Sequence, residues 1–479
     1  MKMKDTIKKH PRMAIASAIL IIAAALALVF GLMANRAGSG VRFRQLVEPS
    51  LDFDEVWYCY EGMVSVKKGQ KFGFATKTGE LAIPCIYDES YGFHDGLAGV
   101  KKDGKRGMID KSGDIVIPFE YDACYHDRDG SIKVSKGDKW GVIDKSGDIV
   151  IPLVYDDIYE IHDGLATAKK DGKWGYIDKT GNIAIPFEYD DLGYFSEGYI
   201  RAKKDGRWGY IDRSGNVAIP FEYHHAAEFY ENLAAVGFRE ILETEEEPEE
   251  SVKWGYIDKS GNLVIPFTYD RCGLFTEYGL AWVKKDGKYG CIDNNGETAI
   301  PFEYGDNTRD HGISFDDFGM ASVIKDGKWG FVDTSGNIVV PFVDYYIDHY
   351  FVESLAGAAK DGKCGYVDRT GKIAIPFEYD RIDYFVEGLA RVGIGEWEST
   401  KWGFIDKAGN VVIPLEYDHV DEFNGNSITS AKKDGKWGVI DKNNNTILPF
   451  EYDDLRMFAM EGFCWVQKDG KWGVLERKN

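Results

Sequence analysis

Glu188 and Asp190 stand two residues apart at the end of Ile183-Ala-Ile-Pro-Phe-Glu-Tyr189-Asp190, a segment that reads as extended strand. Residues i and i+2 of a strand share a face about 6.5–7 Å apart. That separation suits the two carboxylates of a glycoside hydrolase. The same pair recurs, however, as Glu120/Asp122, Glu378/Asp380, Glu416/Asp418 and Glu451/Asp453. A catalytic pair is needed once, so recurrence points to a solvated face with turn-capping aspartates. A second recurrent carboxylate comprises Asp110, Asp144, Asp178, Asp212, Asp258, Asp293, Asp333, Asp368, Asp406 and Asp441. Each lies three residues after a recurrent glycine and opens a turn whose amides it can accept. Calcium loops alternate aspartates and end in glutamate. Asp293-Asn-Asn-Gly296-Glu297 comes nearest and lacks that pattern.

Histidines and cysteines add no chemistry of their own. His94, His126, His162, His224, His225, His311, His349 and His419 fall between repeats, and only His224-His225 are adjacent. Neither His-Glu-x-x-His nor Cys-x-x-Cys occurs, so no zinc or redox site is expected, and no cofactor. The seven cysteines are scattered; Cys364 and Cys85 stand in slots that other copies fill with Trp and Phe. They read as small apolar filler. The repeat pattern breaks most at Arg239–Val252, which holds Glu243, Glu245, Glu246, Glu247, Glu249 and Glu250. Such a run is expected at a solvated tip. These six are the candidate interaction residues, suited to a basic partner or a cation.

The elements beneath these residues form one repeat. A motif glycine recurs at Gly73, Gly107, Gly141, Gly175, Gly209, Gly255, Gly290, Gly330, Gly365, Gly403, Gly438 and Gly473, spaced 34 to 46 residues apart. A period in this range signals a repeat architecture. Within Leu165–Gly198, Asp171-Gly172 predicts a tight hairpin turn. Leu165–Lys170, Trp174–Ile177 and Ile183–Tyr189 alternate as strands, followed by a looser segment. A proline lies eleven residues after the glycine in eleven copies, which confines that strand to an edge. The glycine itself predicts a close backbone approach. Trp precedes it in eight copies, and alternation with apolar neighbours places these rings in a core rather than in a sugar-stacking ladder. The expected fold is all-β: about twelve three-stranded antiparallel meanders stacked as an extended or superhelical solenoid. Two propeller-like rings are the alternative, although three strands are short for a blade. The polar Glu476–Asn479 terminus is expected to cap the last unit.

Residues 1–12 form a basic tail carrying five positive charges and one negative, against a net charge of −21 for the whole chain. An acidic surface of this kind excludes nucleic acid as a partner. Met13–Ala34 is uncharged over 22 residues, about 33 Å as a helix and long enough to span a bilayer. The flanking basic residues predict a single-pass cell-membrane protein with an extracytoplasmic array; a signal peptide cleaved near Ala37-Gly38-Ser39 is the alternative, and both readings export the array. Residues 35–45 read as a linker and 46–479 as the array, with the acidic insertion at 239–252.

The pattern Lys-Trp-Gly-Tyr-Ile-Asp-Lys-Ser-Gly-Asn-Ile-Val-Ile-Pro-Phe-Glu-Tyr-Asp closely resembles the bacterial WG-repeat family (WG β-hairpin repeat proteins) over about residues 46 to 479. That resemblance implies a β-repeat module of exported and membrane-attached proteins, with no catalytic residues to carry over. The expected role is a non-enzymatic, membrane-anchored scaffold for protein or glycan interaction at the bacterial cell envelope. The alternative is a carbohydrate-active or other hydrolase with its site in the asymmetric loops.

Overall fold

Asp-Gly pairs set the hairpin geometry of eight of the twelve units. In the computed structural model Asp171 and Gly172 adopt φ of 51° and 80°, the left-handed pair of a two-residue hairpin turn. Leu165–Lys170 and Lys173–Asp178 therefore fold back in register, Ala168 opposite Gly175 and Lys169 opposite Trp174. The model describes residues 41–127, 130–162, 164–242, 249–306, 313–423, 427–458 and 462–478. Among these, no helix is long and apolar enough to cross a membrane; the expected span Met13–Ala34 lies outside the described residues.

The repeating unit is a four-stranded antiparallel sheet, not a three-stranded meander. Asp157–His162 pairs outside Leu165–Lys170, and Ile183–Tyr189 forms the opposite edge. The segment after Tyr189, expected to be a loose connection, is Asp191–Ser196, the first strand of the next sheet. Among the described residues the strands form twelve sheets, eleven with four strands and one (Met320–Val343) with three. The strand count that favoured a solenoid over propeller-like rings is thereby removed, because four short strands are what a blade contains.

The edge position of the fourth strand explains its proline, whose missing donor costs no ladder bond there. Between Trp174↔Tyr189 and Tyr176↔Ile185 the two strands differ by two residues, so Pro186 sits in a bulge. A Cβ on Gly175 would lie 2.7 Å from the Ile185 carbonyl oxygen and 2.9 Å from the Phe187 ring. All twelve motif glycines meet fourth-strand backbone in this way, as expected of a close approach.

Two compact units divide the chain. In the larger, Asp52–Tyr384, the cores lie between successive sheets. Tyr176, Ile185 and Tyr189 of one sheet pack on Ile200, Ala202 and Ile211 of the next. Small residues such as Ala166 and Ala168 line the second strand, fully buried, where the preceding sheet presses closest. Ile183 and Ile185 are two apart on one strand, yet Ile183 is exposed at the strand start while Ile185 is buried.

The second unit joins Phe385–Asn479 to the N-terminal residues up to Leu51. The fourth strand of its last sheet is Arg42–Leu51, antiparallel to Lys471–Lys478. Val47 faces Val474 and Leu51 faces Trp472, the places held elsewhere by Ile185 and Tyr189. Gly473 meets the Val47 carbonyl oxygen as the other motif glycines meet theirs. One expectation changes: Glu476–Lys478 is a paired strand end rather than a polar cap, held by Arg44–Glu476 at 2.6 Å, and its partner strand starts at Arg42.

Candidate interaction surface

The recurrent carboxylates are absorbed by architecture. All ten turn-opening aspartates accept two backbone amides; Asp178 Oδ1 takes Thr180 N at 2.8 Å and Asn182 N at 3.0 Å. Hydrogen bonds from the Thr180 hydroxyl, the Asn182 amide group and these amides hold the Asp178 carboxyl down to about 2. The paired carboxylates tie neighbouring sheets together. Asp190 accepts Lys173 Nζ of its own sheet at 2.5 Å and Gly206 N of the next hairpin at 2.9 Å. Both lower its pKa, Lys173 most. Glu188 pairs with Lys204 of that next sheet at 3.0 Å. Glu120–Lys136, Glu416–Lys433 and Glu451–Lys468 repeat the strap at 3.1, 2.7 and 2.8 Å. Such exposed pairs contribute ~0–1 kcal/mol each, so they set register more than stability.

A second joint crosses each core. Tyr176 Oη donates to the Gly193 carbonyl of the next sheet at 2.7 Å; Tyr210, Tyr256 and Tyr366 do the same to Ala227, Gly273 and Asp383. The carbonyl one residue earlier can take a cation from the second strand, as Ala226 takes Arg201 Nη1 beside the Tyr210 bond. Lys133 Nζ reaches the Ile158 carbonyl and Arg391 Nη1 the Val420 carbonyl.

The motif tryptophans do not form a buried row. Trp208 and Trp472 are buried, whereas Trp140, Trp174, Trp254, Trp329, Trp402 and Trp437 are half-buried. All of these six but Trp329 pack against the cores as expected, at their margin rather than enclosed within them. Their rings lie near the hairpin end of the sheet, where long cations cover them: Lys133 over Trp140 at 4.3 Å, Lys169 over Trp174 at 5.2 Å and Arg391 over Trp402 at 4.9 Å.

Sequence reasoning missed an aromatic series on the first strands. Trp57, Tyr91, Tyr125 and Tyr159 each lie sixteen residues before a motif glycine and are 42, 44, 43 and 49% exposed. Their equal spacing of 34 was the available signal. It went unread because the segment lacked the alternation that marks a strand. The rings of Tyr91 and Tyr125 are 6.5 Å apart, with the Arg106 guanidinium 5.1 and 5.5 Å from their centroids. Arg106 stands in a tryptophan slot and pairs with Glu89 at 2.6 Å, so its planar group replaces the indole there. Tyr159 stacks on Trp174 at 5.5 Å and 26°. The result is a set of solvent-facing rings interleaved with cations, confined to the first four sheets.

The remaining candidates are dispersed. Of the acidic run, Glu243, Glu245, Glu246 and Glu247 lie outside the described residues. Glu249 and Glu250 pair with Leu242 and Ile241, so the insertion prolongs the hairpin of Leu233–Leu242 and Glu249–Asp258. The expected solvated tip is thus shorter than Arg239–Val252. His224 Nδ1 accepts Arg239 N at 3.0 Å, and His225 lies 5.6 Å from Trp254, where burial lowers its pKa. His94 and His126, 32 residues apart in sequence, come within 5.2 Å. His311 lies outside the described residues. Burial pushes the thiols of Cys124, Cys272 and Cys291 up to about 12, which disfavours the nucleophilic thiolate.

Solved structures similar to this chain include a eukaryotic initiation factor, 13% identical, with TM-score 0.34 over 63% of this chain and 88% of that one. Kluyveromyces lactis Hsv2 is 8% identical, with TM-score 0.25 over 58% and 94%. At such scores the assignment rests on sequence repeats alone. No curated protein matches the chain. The model for the WG containing repeat matches eleven times, at residues 72–105, 107–140, 140–174, 174–208, 208–238, 254–289, 289–329, 329–364, 365–396, 402–437 and 437–472. The chain belongs to the family of WG-repeat proteins.

Proposed function

We propose that this protein is an exported, membrane-anchored, non-enzymatic scaffold that presents its first-strand rings to a glycan or protein at the bacterial cell envelope. The observation that carries the proposal is the exposed series Trp57, Tyr91, Tyr125 and Tyr159, set against recurrent carboxylates that are already engaged in turns and straps. Large exposed aromatic patches mark interaction sites. Anchoring rests on the uncharged Met13–Ala34 segment and its basic flanks.

Pull-down with the full chain against wall polymers and envelope protein is expected to recover a ligand. Replacing Tyr91, Tyr125 and Tyr159 together with Ala should abolish that recovery; undiminished capture overturns the proposed surface. Protease added to intact spheroplasts should digest the array, and complete protection overturns its outward placement. The acidic hairpin would serve a basic partner or a cation, so shortening it should weaken capture more at low salt than at high salt.

A further inference from the structure

The aromatic series stops at the fifth sheet, where the same slot holds Gly193. Leu192 pairs with Ala202, and Ala202 with Gly209, as Ile158 pairs with Ala168 and Ala168 with Gly175. Gly193 therefore stands where Tyr159 stands one repeat earlier. In place of a fifth ring there is a cleft of about 190 Å³, lined by Tyr159, Thr167, Trp174, Asp191, Arg201 and Glu228 among others. Its walls differ in character. One is the stacked Tyr159–Trp174 pair. The other is Arg201 with Glu228, an ion pair at 3.2 Å. A Cβ on residue 193 would lie 3.0 Å from Glu228 Oε1 and 3.2 Å from Arg201 Nε, so these two groups crowd in beside the glycine and form that wall of the cleft. Arg201 Nε is buried and has no hydrogen-bond partner, which is uncommon for a buried donor. The guanidinium is otherwise engaged, through Nη1 to the Ala226 carbonyl at 2.8 Å and over the Trp208 ring at 4.5 Å.

We propose that this cleft binds one ring of a neutral saccharide; the inference rests on the glycan reading of the aromatic surface. The aromatic pair offers an apolar platform for the C–H face of a pyranose. Glu228 and Asp191 accept from its hydroxyls, and Arg201 Nε donates to a ring or hydroxyl oxygen, in charge-assisted bonds. The volume falls below the ~300–1,000 Å³ of drug-sized pockets, so it fits a single ring. Acidic sugars are disfavoured by the net charge of −21. A quaternary ammonium is disfavoured because it would meet the charge of Lys169, whose Nζ lies 5.2 Å from the Trp174 ring centroid.

Titration of the full chain with methyl glucoside and with N-acetylglucosamine, followed by tryptophan fluorescence and calorimetry, tests this site, with choline as the cationic control. Saturable binding of at least one sugar is expected. Gly193→Tyr, which restores the ring of the preceding repeats, should weaken it at least tenfold. Glu228→Gln should weaken it similarly without filling the cleft, which guards against a folding defect in the first variant. Sugar affinity equal in wild type and both variants overturns the site, as does binding of choline instead of sugar. If wall polymer is still captured by the full chain and by Gly193→Tyr alike while neither sugar binds, the cleft assignment falls and the aromatic surface stands. If no glycan of any size is captured, both fall.

Discussion

Trp57, Tyr91, Tyr125 and Tyr159 share a ladder position with Asp348 and Asp421 further along the chain. The residue before each pairs with the second strand opposite a motif glycine: Ile158 through Ala168 to Gly175, Ile347 through Ala358 to Gly365, Val420 through Ala431 to Gly438. In the early sheets the slot turns a ring to solvent. Asp348 instead accepts His349 N at 2.8 Å and Tyr384 Oη at 2.9 Å. Asp421 takes His419 Nε2 at 2.9 Å and the Ser430 hydroxyl. Burial alone would raise the Asp421 pKa, but bonds from His419 and Ser430 outweigh it and the net shift is downward. The same backbone thus carries an outward-facing surface in one region and a self-satisfied polar joint in another. Identity at the first strand is free to vary because the third and fourth strands carry the constraints.

The largest effect is expected where those constraints are tightest. Gly175→Ala drives a methyl into the Ile185 and Pro186 carbonyl oxygens, 2.7 and 3.0 Å from the Cβ position. It should cost about 3 kcal/mol, at the upper end for overpacking. Gly193→Ala meets only side-chain atoms of Glu228 and Arg201, at 3.0 Å and beyond, and should cost about 0.5 kcal/mol. Repeat arrays need not unfold in one step, so hydrogen exchange in Leu165–Tyr189 and in Tyr199–Tyr223 is the measurement. Equal losses would erase the distinction between constant and variable strands.

Tyr210→Phe removes the Oη bond to the Ala227 carbonyl at 2.7 Å in a fully buried setting. A loss of about 1 kcal/mol is expected, against almost none for Tyr159→Phe at the exposed slot. Chemical denaturation of the two variants side by side decides it.

Acid should act on the turns and spare the aromatic slot. The Asp178 carboxyl is held at about 2, below its ordinary 3.8. The unfolded chain therefore takes up the proton first on acidification. The stabilisation is complete above the unfolded value and is lost as pH falls from about 4 through about 2. Local exchange protection of the Ile183–Tyr189 strand should fall over that window and fall less steeply in Asp178→Asn.

The smallest effect is expected at the acidic hairpin. Replacing Arg239–Val252 by Asp-Gly restores the turn of other repeats, since Phe238↔Lys253 corresponds to Lys170↔Lys173, and removes four ladder pairs, from Arg239↔Val252 to Leu242↔Glu249. Loop length itself contributes little, and stability should stay within about 0.5 kcal/mol by thermal melting. Collapse of the fold would make the insertion structural.

What the sequence determined by itself is everything governed by a few neighbouring residues. Asp171-Gly172 selects its turn through φ, Asp178 caps amides two and four residues ahead, and Pro186 can sit only on an edge. Gly175 announced a close approach because no side chain fits there. The half-burial of Trp174 was not legible, since it depends on Lys169 and on Tyr159, a residue fifteen positions away. Nor was the first strand of each sheet: Asp191-Leu-Gly-Tyr-Phe-Ser has no period of two, and its extended form comes from pairing with Tyr199–Lys204. Only the tertiary structure joined Arg42–Leu51 to Lys471–Lys478. Val47-Glu-Pro-Ser-Leu51 echoes the usual Ile-Pro-Phe-Glu-Tyr too faintly to be paired across the whole chain. Its partner is the free edge of Lys471–Lys478, whose unpaired amides and carbonyls are a template that any strand brought alongside can pair with, however far away in sequence.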